Sequence, residues 1–288
     1  MFVLPRESHF RGRVPWVTFA LIAANFACFG AQLIIGDPLN YGYSLTPAKV
    51  TTGQDVASTQ LVRVRVPLMR GPDGQPAGFY ERWAPVPYHH GPAPIQLTIL
   101  TSMFLHGGWV HLLGNMWFLW IFGSLVEKML PRALFLIFYL ACGLGAAITH
   151  IAVEPDSVVP CLGASGAISG VMGAYLWLQP FSKVRIWLVL FFDVPALIAV
   201  PVWLLLQIMS SIAVITSGEI QGGVAYWAHV GGFATGWVFL MSLILWLKLV
   251  VRKKPAPQPE AQTEGYVQLS TAAYLNRPLP SESRDPQR

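Results

Sequence analysis

Charge is what this chain has least of. Of its 288 residues only 11% are Asp, Glu, Lys or Arg, against roughly 25% in a soluble domain. The few charges gather at the ends and in linkers, leaving long stretches almost without any. With 54% hydrophobic residues and a mean hydropathy of +0.50, water is excluded as the main solvent of the fold. Cysteine is also scarce. Cys28, Cys142 and Cys161 are scattered and odd in number, which excludes a disulfide framework and leaves no CxxC metal pattern. Each reads as a small apolar side chain. There is no HExxH and no carboxylate or thiolate cluster near His106, His111 and His229, so no metal and no cofactor is expected. No internal repeat is visible, which argues against a transporter built from paired halves. The net charge of +5 comes without a basic stripe interleaved with aromatics, so nucleic acid is not an expected partner. Arg6, Arg11 and Arg13 instead precede the first apolar run, and Lys248, Arg252, Lys253 and Lys254 follow the last. Such flanks mark the cytoplasmic ends of membrane helices.

What is present is a series of apolar segments, each near the ~20 residues needed to cross a hydrocarbon core. Six are predicted: Val14–Ile35, Trp109–Val126, Ala133–Val153, a short glycine-rich Gly163–Trp177, Val194–Ile215 and Val224–Leu247. The first is too long for a secretory signal core and is read as a retained span. Val184–Phe192 is taken as an interfacial lead-in to the fifth. The expected fold class is therefore an all-α membrane protein, a six-helix bundle over residues 14–250. Residues 1–13 form a cytoplasmic N-terminal segment, and a Pro- and Gln-rich tail at 251–288 has the composition of a disordered cytoplasmic segment. Lys128, Arg132, Lys183 and Arg185 sit in the second-to-third and fourth-to-fifth linkers, while the intervening linkers carry only Glu154, Asp156 and Glu219. Basic linkers face the cytoplasm, which puts both termini inside. Residues 36–108 then form a long, irregular first outer loop. Within it Gly71-Pro72-Asp73-Gly74 is a turn, and Val62–Val66 alternates with arginine as a short hairpin strand would.

Topology brings chemistry together. The second, fourth and sixth spans run in the same direction, with His111, Ser165 and His229 within about two turns of their starts. Reactive groups at membrane depth are costly and point to function. A serine hydroxyl is a weak nucleophile until a base takes its proton, and His229 is the natural base for Ser165. No Asp or Glu lies at that depth in these spans, so a Ser–His dyad is expected rather than a triad. His111 and Asn115 are four apart and share a helix face, where they can donate to an oxyanion, with the Ser165 N–H as a further donor. Gly163, Gly166, Gly170 and Gly173 on the fourth span, and Gly232 and Gly236 on the sixth, are read as small residues that let the two helices pack closely. Taken singly, each motif has an ordinary reading as packing, interfacial anchoring or interhelical hydrogen bonding. Their coincidence at one depth is what carries the chemistry.

His106-Gly107-Gly108 with His111 and Asn115, then Gly163-Ala164-Ser165-Gly166, then Ala228-His229 with Gly232 and Gly236 resemble the rhomboid family of intramembrane serine proteases, in the same order along the chain. The resemblance spans about Val14 to Leu247. It implies a Ser165 nucleophile, a His229 base, oxyanion support from His111 and Asn115, and single-span membrane proteins as substrates, cut near the outer face after small residues. A catalytically inactive rhomboid-like protein that binds membrane clients is the alternative. A bacterial inner membrane fits such a chain, with an organelle membrane as the other setting. Two departures stand out. Many members place an aromatic four residues after the nucleophile, where this chain has Ser169. Many also carry a Trp-Arg pair before the histidine motif, where Leu97-Thr98 stands here, and Arg82-Trp83 is reversed.

Overall fold

Among the described residues of the computed structural model, four helices are long and apolar enough to cross a membrane: Trp16–Ile35, Trp109–Met129, Arg132–Val153 and Tyr226–Val250. The structure describes residues 2–5, 13–55, 59–67, 79–86, 89–187, 191–217 and 225–253. The turn expected at 71–74 and the tail from 254 onward lie outside them. The chain divides into a body, Met1–Ile244, and a segment, Leu245–Arg288.

In chain order, strand β1 (Phe2–Pro5) precedes helix α1 (Trp16–Ile35), followed by the short α2 (Asp37–Gly42) and α3 (Pro47–Thr52). Strands β2 (Gln60–Pro67) and β3 (Phe79–Val86) form an antiparallel hairpin in which Arg63 stands opposite Trp83. A 3-10 turn (Ile95–Leu97), α4 (Thr98–Thr101) and another 3-10 turn (Ser102–Phe104) follow. Next come α5 (Trp109–Phe118), a π-helical turn (Leu119–Gly123) and α6 (Ser124–Met129), which continue one another. Helices α7 (Arg132–Val153) and α8 (Ser165–Leu178) lead to strands β4 (Lys183–Trp187) and β5 (Phe191–Pro195), then to α9 (Ala196–Ser217) and α10 (Tyr226–Lys253).

Three expectations need correction. The protein is mostly helical rather than all-α. The stretch read as an interfacial lead-in is a β4–β5 hairpin, which β1 extends to a three-stranded antiparallel sheet in the order β1-β4-β5. Alternating β-branched and polar residues in Lys183–Trp187 favour a strand, and Pro195 ends it, so α9 starts at Ala196 and not at Val194. The first loop is not irregular throughout, because it holds α2, α3, the hairpin and the turns before α5. One of the six apolar segments, α8, falls short as a span, whereas α9 runs for 22 residues. At 14 residues, α8 is about 21 Å long, less than a bilayer core. It is enclosed by protein, with Gly166–Tyr175 all buried, and so has no need to traverse lipid.

Burial in α1 runs opposite to that of a soluble helix. Its buried residues are Thr18, Leu21, Asn25, Phe29 and Gln32, one stripe at helical spacing that includes polar groups. Ile34 is 87% exposed, as suits a surface facing lipid. Several of the buried polar groups have partners. Glu127 of α6 accepts from the N–H groups of Val17 (3.0 Å) and Thr18 (2.7 Å) and from the Thr18 hydroxyl (2.7 Å). A carboxylate thus satisfies the otherwise unpaired amides of the first turn of α1, where the helix dipole also favours an anion.

Helices α8 and α10 touch through glycine. A methyl group on Gly236 would strike the Gly170 carbonyl, and one on Gly232 the Gly166 carbonyl. On Gly173 it would sit 2.7 Å from the Phe233 carbonyl oxygen. Gly170 also packs against Cys142 of α7. Gly236→Ala is expected to destabilise the protein by about 1–3 kcal/mol, read as a lower unfolding midpoint in detergent. Gly30→Ala, whose methyl would meet nothing within 4 Å, should not lower it.

Candidate functional site

Ser165 is the first residue of α8, His229 the fourth of α10 and His111 the third of α5. The N-terminal turns of three separate helices therefore meet at one place. Ser165 Oγ lies 2.7 Å from His229 Nε2. They share a cavity of about 930 Å³ that is lined also by His111, Asn115, Trp203 and Gln207. No Asp or Glu contributes to its wall among the described residues.

The imidazole of His229 is held on three sides. Its Nδ1 lies 2.7 Å from Gln207 Oε1 of α9. The Trp203 ring tilts over it at a centroid distance of 6.0 Å and an interplanar angle of 37°, and Tyr226 meets it edge-on at 6.4 Å. An amide oxygen only accepts, so this contact puts the proton on Nδ1 and leaves the Nε2 lone pair for the Ser165 hydroxyl. Ser169, four residues after Ser165, turns back along its own helix and donates to the Ser165 carbonyl at 2.7 Å. Aromatic contact to the histidine comes from α9 and α10 instead.

His111 is fixed through its other nitrogen. The Gly107 N–H donates to His111 Nδ1 at 3.3 Å, which leaves the proton on Nε2. That edge of the ring lies against Gly163: a methyl built there would be 2.9 Å from both Cε1 and Nε2 of His111. Asn115 lines the same cavity, and its amide donates to the His111 carbonyl one turn back at 2.9 Å. One of its two N–H groups is thereby engaged on its own helix. His106, fully buried, packs edge-on to His111 at 5.1 Å. His106, His111 and His229 do not form a metal cluster, and no group of three His, Cys, Asp or Glu side chains does so among the described residues. Cys161 is in the cavity wall. Burial, and after it the charge of Glu154, pushes its thiol up to about 12.

Gly163 does not pack helices as its motif position led one to expect. It lies in the loop before α8 with φ +129°, and its N–H donates to the Ser102 carbonyl at 2.8 Å. The loop is pinned further by Leu45, whose N–H and C=O pair with those of Cys161 at 2.9 and 2.7 Å. Gln32 of α1 secures the histidine segment: its Oε1 accepts from the His106 N–H at 2.9 Å and its Nε2 donates to the His106 carbonyl at 3.1 Å. Sequence reasoning passed over Gln207, Trp203, Tyr226 and Gln32. A polar side chain inside an apolar helix was the available signal for both glutamines.

Residues 96–246 match the Rhomboid domain model, which is more than half of the chain, and the chain belongs to the rhomboid family. It is a multi-pass membrane protein. It is 42% identical over 79 residues to Rhomboid protease GluP of Bacillus subtilis (strain 168), a stretch covering 27% of this chain and 15% of that protein. Over 84 residues it is 40% identical to Rhomboid-like protein 11, chloroplastic, of Arabidopsis thaliana, covering 29% of each. A longer match, 24% identical over 255 residues, links it to RHOMBOID-like protein 5 of Arabidopsis thaliana, covering 85% of this chain and 74% of that protein. The chain spans less than half the length of the relatives that it matches at about 40% identity.

The glycine before the serine gives a local test. Gly163→Ala combines a backbone conformation that L-residues rarely adopt with a clash against His111, and is expected to cost about 1–3 kcal/mol. Gly107→Ala, whose methyl would rest 3.7 Å from His111 Nδ1, should cost less. Unfolding midpoints of the two variants in detergent make the comparison.

Proposed function

We propose that the protein is an intramembrane serine endopeptidase that cleaves transmembrane segments of membrane proteins. The observation that carries this reading is the 2.7 Å contact between Ser165 Oγ and His229 Nε2 in a cavity that no carboxylate lines among the described residues. In this reading the short α8 and the longer α9 complete a six-helix domain, and both termini face the cytoplasm. Membership of the rhomboid family supports it and implies membrane substrates without specifying them.

The steps follow from the atoms at hand. As the Ser165 oxygen bonds to the substrate carbonyl carbon, its proton passes to His229 Nε2. The carbonyl oxygen becomes an oxyanion, which His111 Nε2–H, the remaining N–H of Asn115 and the Ser165 backbone N–H are suited to receive. Donors fixed before the reaction do not have to reorganise during it. When the intermediate collapses, Nε2–H protonates the leaving amine and the acyl group stays on Ser165. A water then gives its proton to His229 and attacks the ester at the same oxyanion site; the second intermediate collapses, the acyl–Ser165 bond breaks, the Ser165 oxygen takes the proton back from Nε2, and the carboxyl product leaves. The cavity is where water reaches the pair, since polar and irregular backbone at membrane depth survives only where protein or water lines it. A helical substrate exposes a carbonyl to Ser165 only where its helix opens, so helix-breaking residues near the cut are expected.

The test uses a purified transmembrane reporter and a fluorophosphonate probe. Wild type should cleave the reporter and take up the probe, and Ser165→Ala and His229→Ala should do neither. His111→Ala and Asn115→Ala are each expected to lower the cleavage rate by about 10²–10³-fold. A chelator should leave the rate unchanged. Cleavage by Ser165→Ala equal to wild type refutes the reading.

A further inference from the structure

Among the described residues that line the cavity, none can act as the carboxylate that orients the base in a Ser–His–Asp arrangement. Yet an imidazole that works as a base must keep one tautomer and one ring orientation. Gln207 is the only amide in α9, a helix whose sequence is otherwise almost entirely apolar. It stands four residues after Trp203, so the two share a helix face, and both meet His229. Trp203 limits the tilt of the ring, and Gln207 Oε1 accepts at Nδ1 at 2.7 Å.

Building on the protease reading, we infer that Gln207 is the positioning residue of the Ser165–His229 pair, supplying from α9 the acceptor that a carboxylate supplies elsewhere. Its carbonyl dipole holds the proton on Nδ1, so that the Nε2 lone pair faces the Ser165 hydroxyl. When His229 gains the serine proton, Nδ1–H keeps the same acceptor, and the partial negative charge on Oε1 stabilises the imidazolium. A neutral amide does this without burying a second full charge at membrane depth, which is the costlier choice. Gln207 touches no reacting atom and acts only through His229.

The bland alternative is that Gln207 is a hydrogen bond joining α9 to α10, as polar side chains between membrane helices often are. Two substitutions separate the roles. Gln207→Met keeps the volume and removes the acceptor. Gln207→Glu keeps an acceptor and adds charge. The titratable side chains near His229 are His111 on α5, His150 on α7 and Tyr226 on α10, and neither substitution alters them.

The full-length protein in detergent is assayed for reporter cleavage and for fluorophosphonate labelling across pH. In Gln207→Met, kcat is expected to fall by about 10²-fold with KM unchanged, and labelling should slow in proportion while the unfolding midpoint stays near wild type. Gln207→Glu is expected to recover most of that loss. It should also move the acidic limb of the pH–rate profile to higher pH, because a carboxylate at Nδ1 favours the imidazolium, which is not a base. Labelling of Gln207→Met at the wild-type rate overturns the inference. So does equal loss in both variants with the acidic limb unmoved. If Gln207→Met does not accumulate, the Gln207→Glu profile decides alone, and a limb at the wild-type pH overturns the inference. Failure of the protease reading looks different: wild type would then be labelled no faster than Ser165→Ala. Labelled wild type with unaffected Gln207 variants removes only the role of Gln207.

Discussion

Backbone contact between α8 and α10 is the constraint from which the site follows. Gly232 and Gly236 bring α10 so close to α8 that a single methyl would meet a carbonyl of the facing chain. In lipid there is no hydrophobic gain from joining two apolar helices, so close packing of small residues has to supply the attraction. That closeness sets the distance from the first residue of α8 to the first turn of α10, and thereby the separation of a serine and a histidine that are 64 residues apart in sequence. Helix α7 backs the arrangement from the other side, with Cys142 against Gly170 and Thr235 of α10 packed on Gly145.

The second ingredient is the length of α8. Because protein encloses it, α8 need not be long enough to reach both membrane surfaces, and it can start at Ser165, where the preceding loop takes over. That loop could not stand in lipid with unpaired peptide groups. Its peptides are engaged instead: Cys161 with Leu45, Gly163 with Ser102, and Ala48 with Ser157. The first turn of α8 consequently borders a cavity that can hold polar groups.

Much of this could be read from the residues. Small residues at four-residue spacing mark the α8–α10 contact, and His111, Ser165 and His229 all stand at helix starts, which places them at one depth. The alternation of valine and arginine at Val62–Val66 foretold a strand of the β2–β3 hairpin. Other features left weaker traces. The β1-β4-β5 sheet depends on pairing between segments about 180 residues apart, which no local pattern reports. Gly163 has the same sequence signature as a packing glycine and differs only in its backbone angle. Gln207 and Gln32 stand out only as polar side chains in apolar helices, because nothing local reveals that one faces an imidazole and the other a peptide group. The resemblance to rhomboid proteases located the Ser–His pair but not its support from α9, since the aromatic considered for that purpose belonged on α8.

Gln32 has a consequence for how the chain accommodates change. One side chain binds both polar groups of the His106 peptide, 74 residues downstream, and closes the base of the excursion that carries the β2–β3 hairpin. Higher up, Asp55 accepts from Lys49 and from the Gly91 N–H at 2.9 Å each, which closes it a second time. Strands β2 and β3 therefore lie beyond two fastenings. Closure entropy grows only slowly with loop length, so that span can lengthen, shorten or change its sequence while the segment from His106 to His111 keeps its place. The β2–β3 hairpin is thus a place where sequence can diverge above a fixed floor.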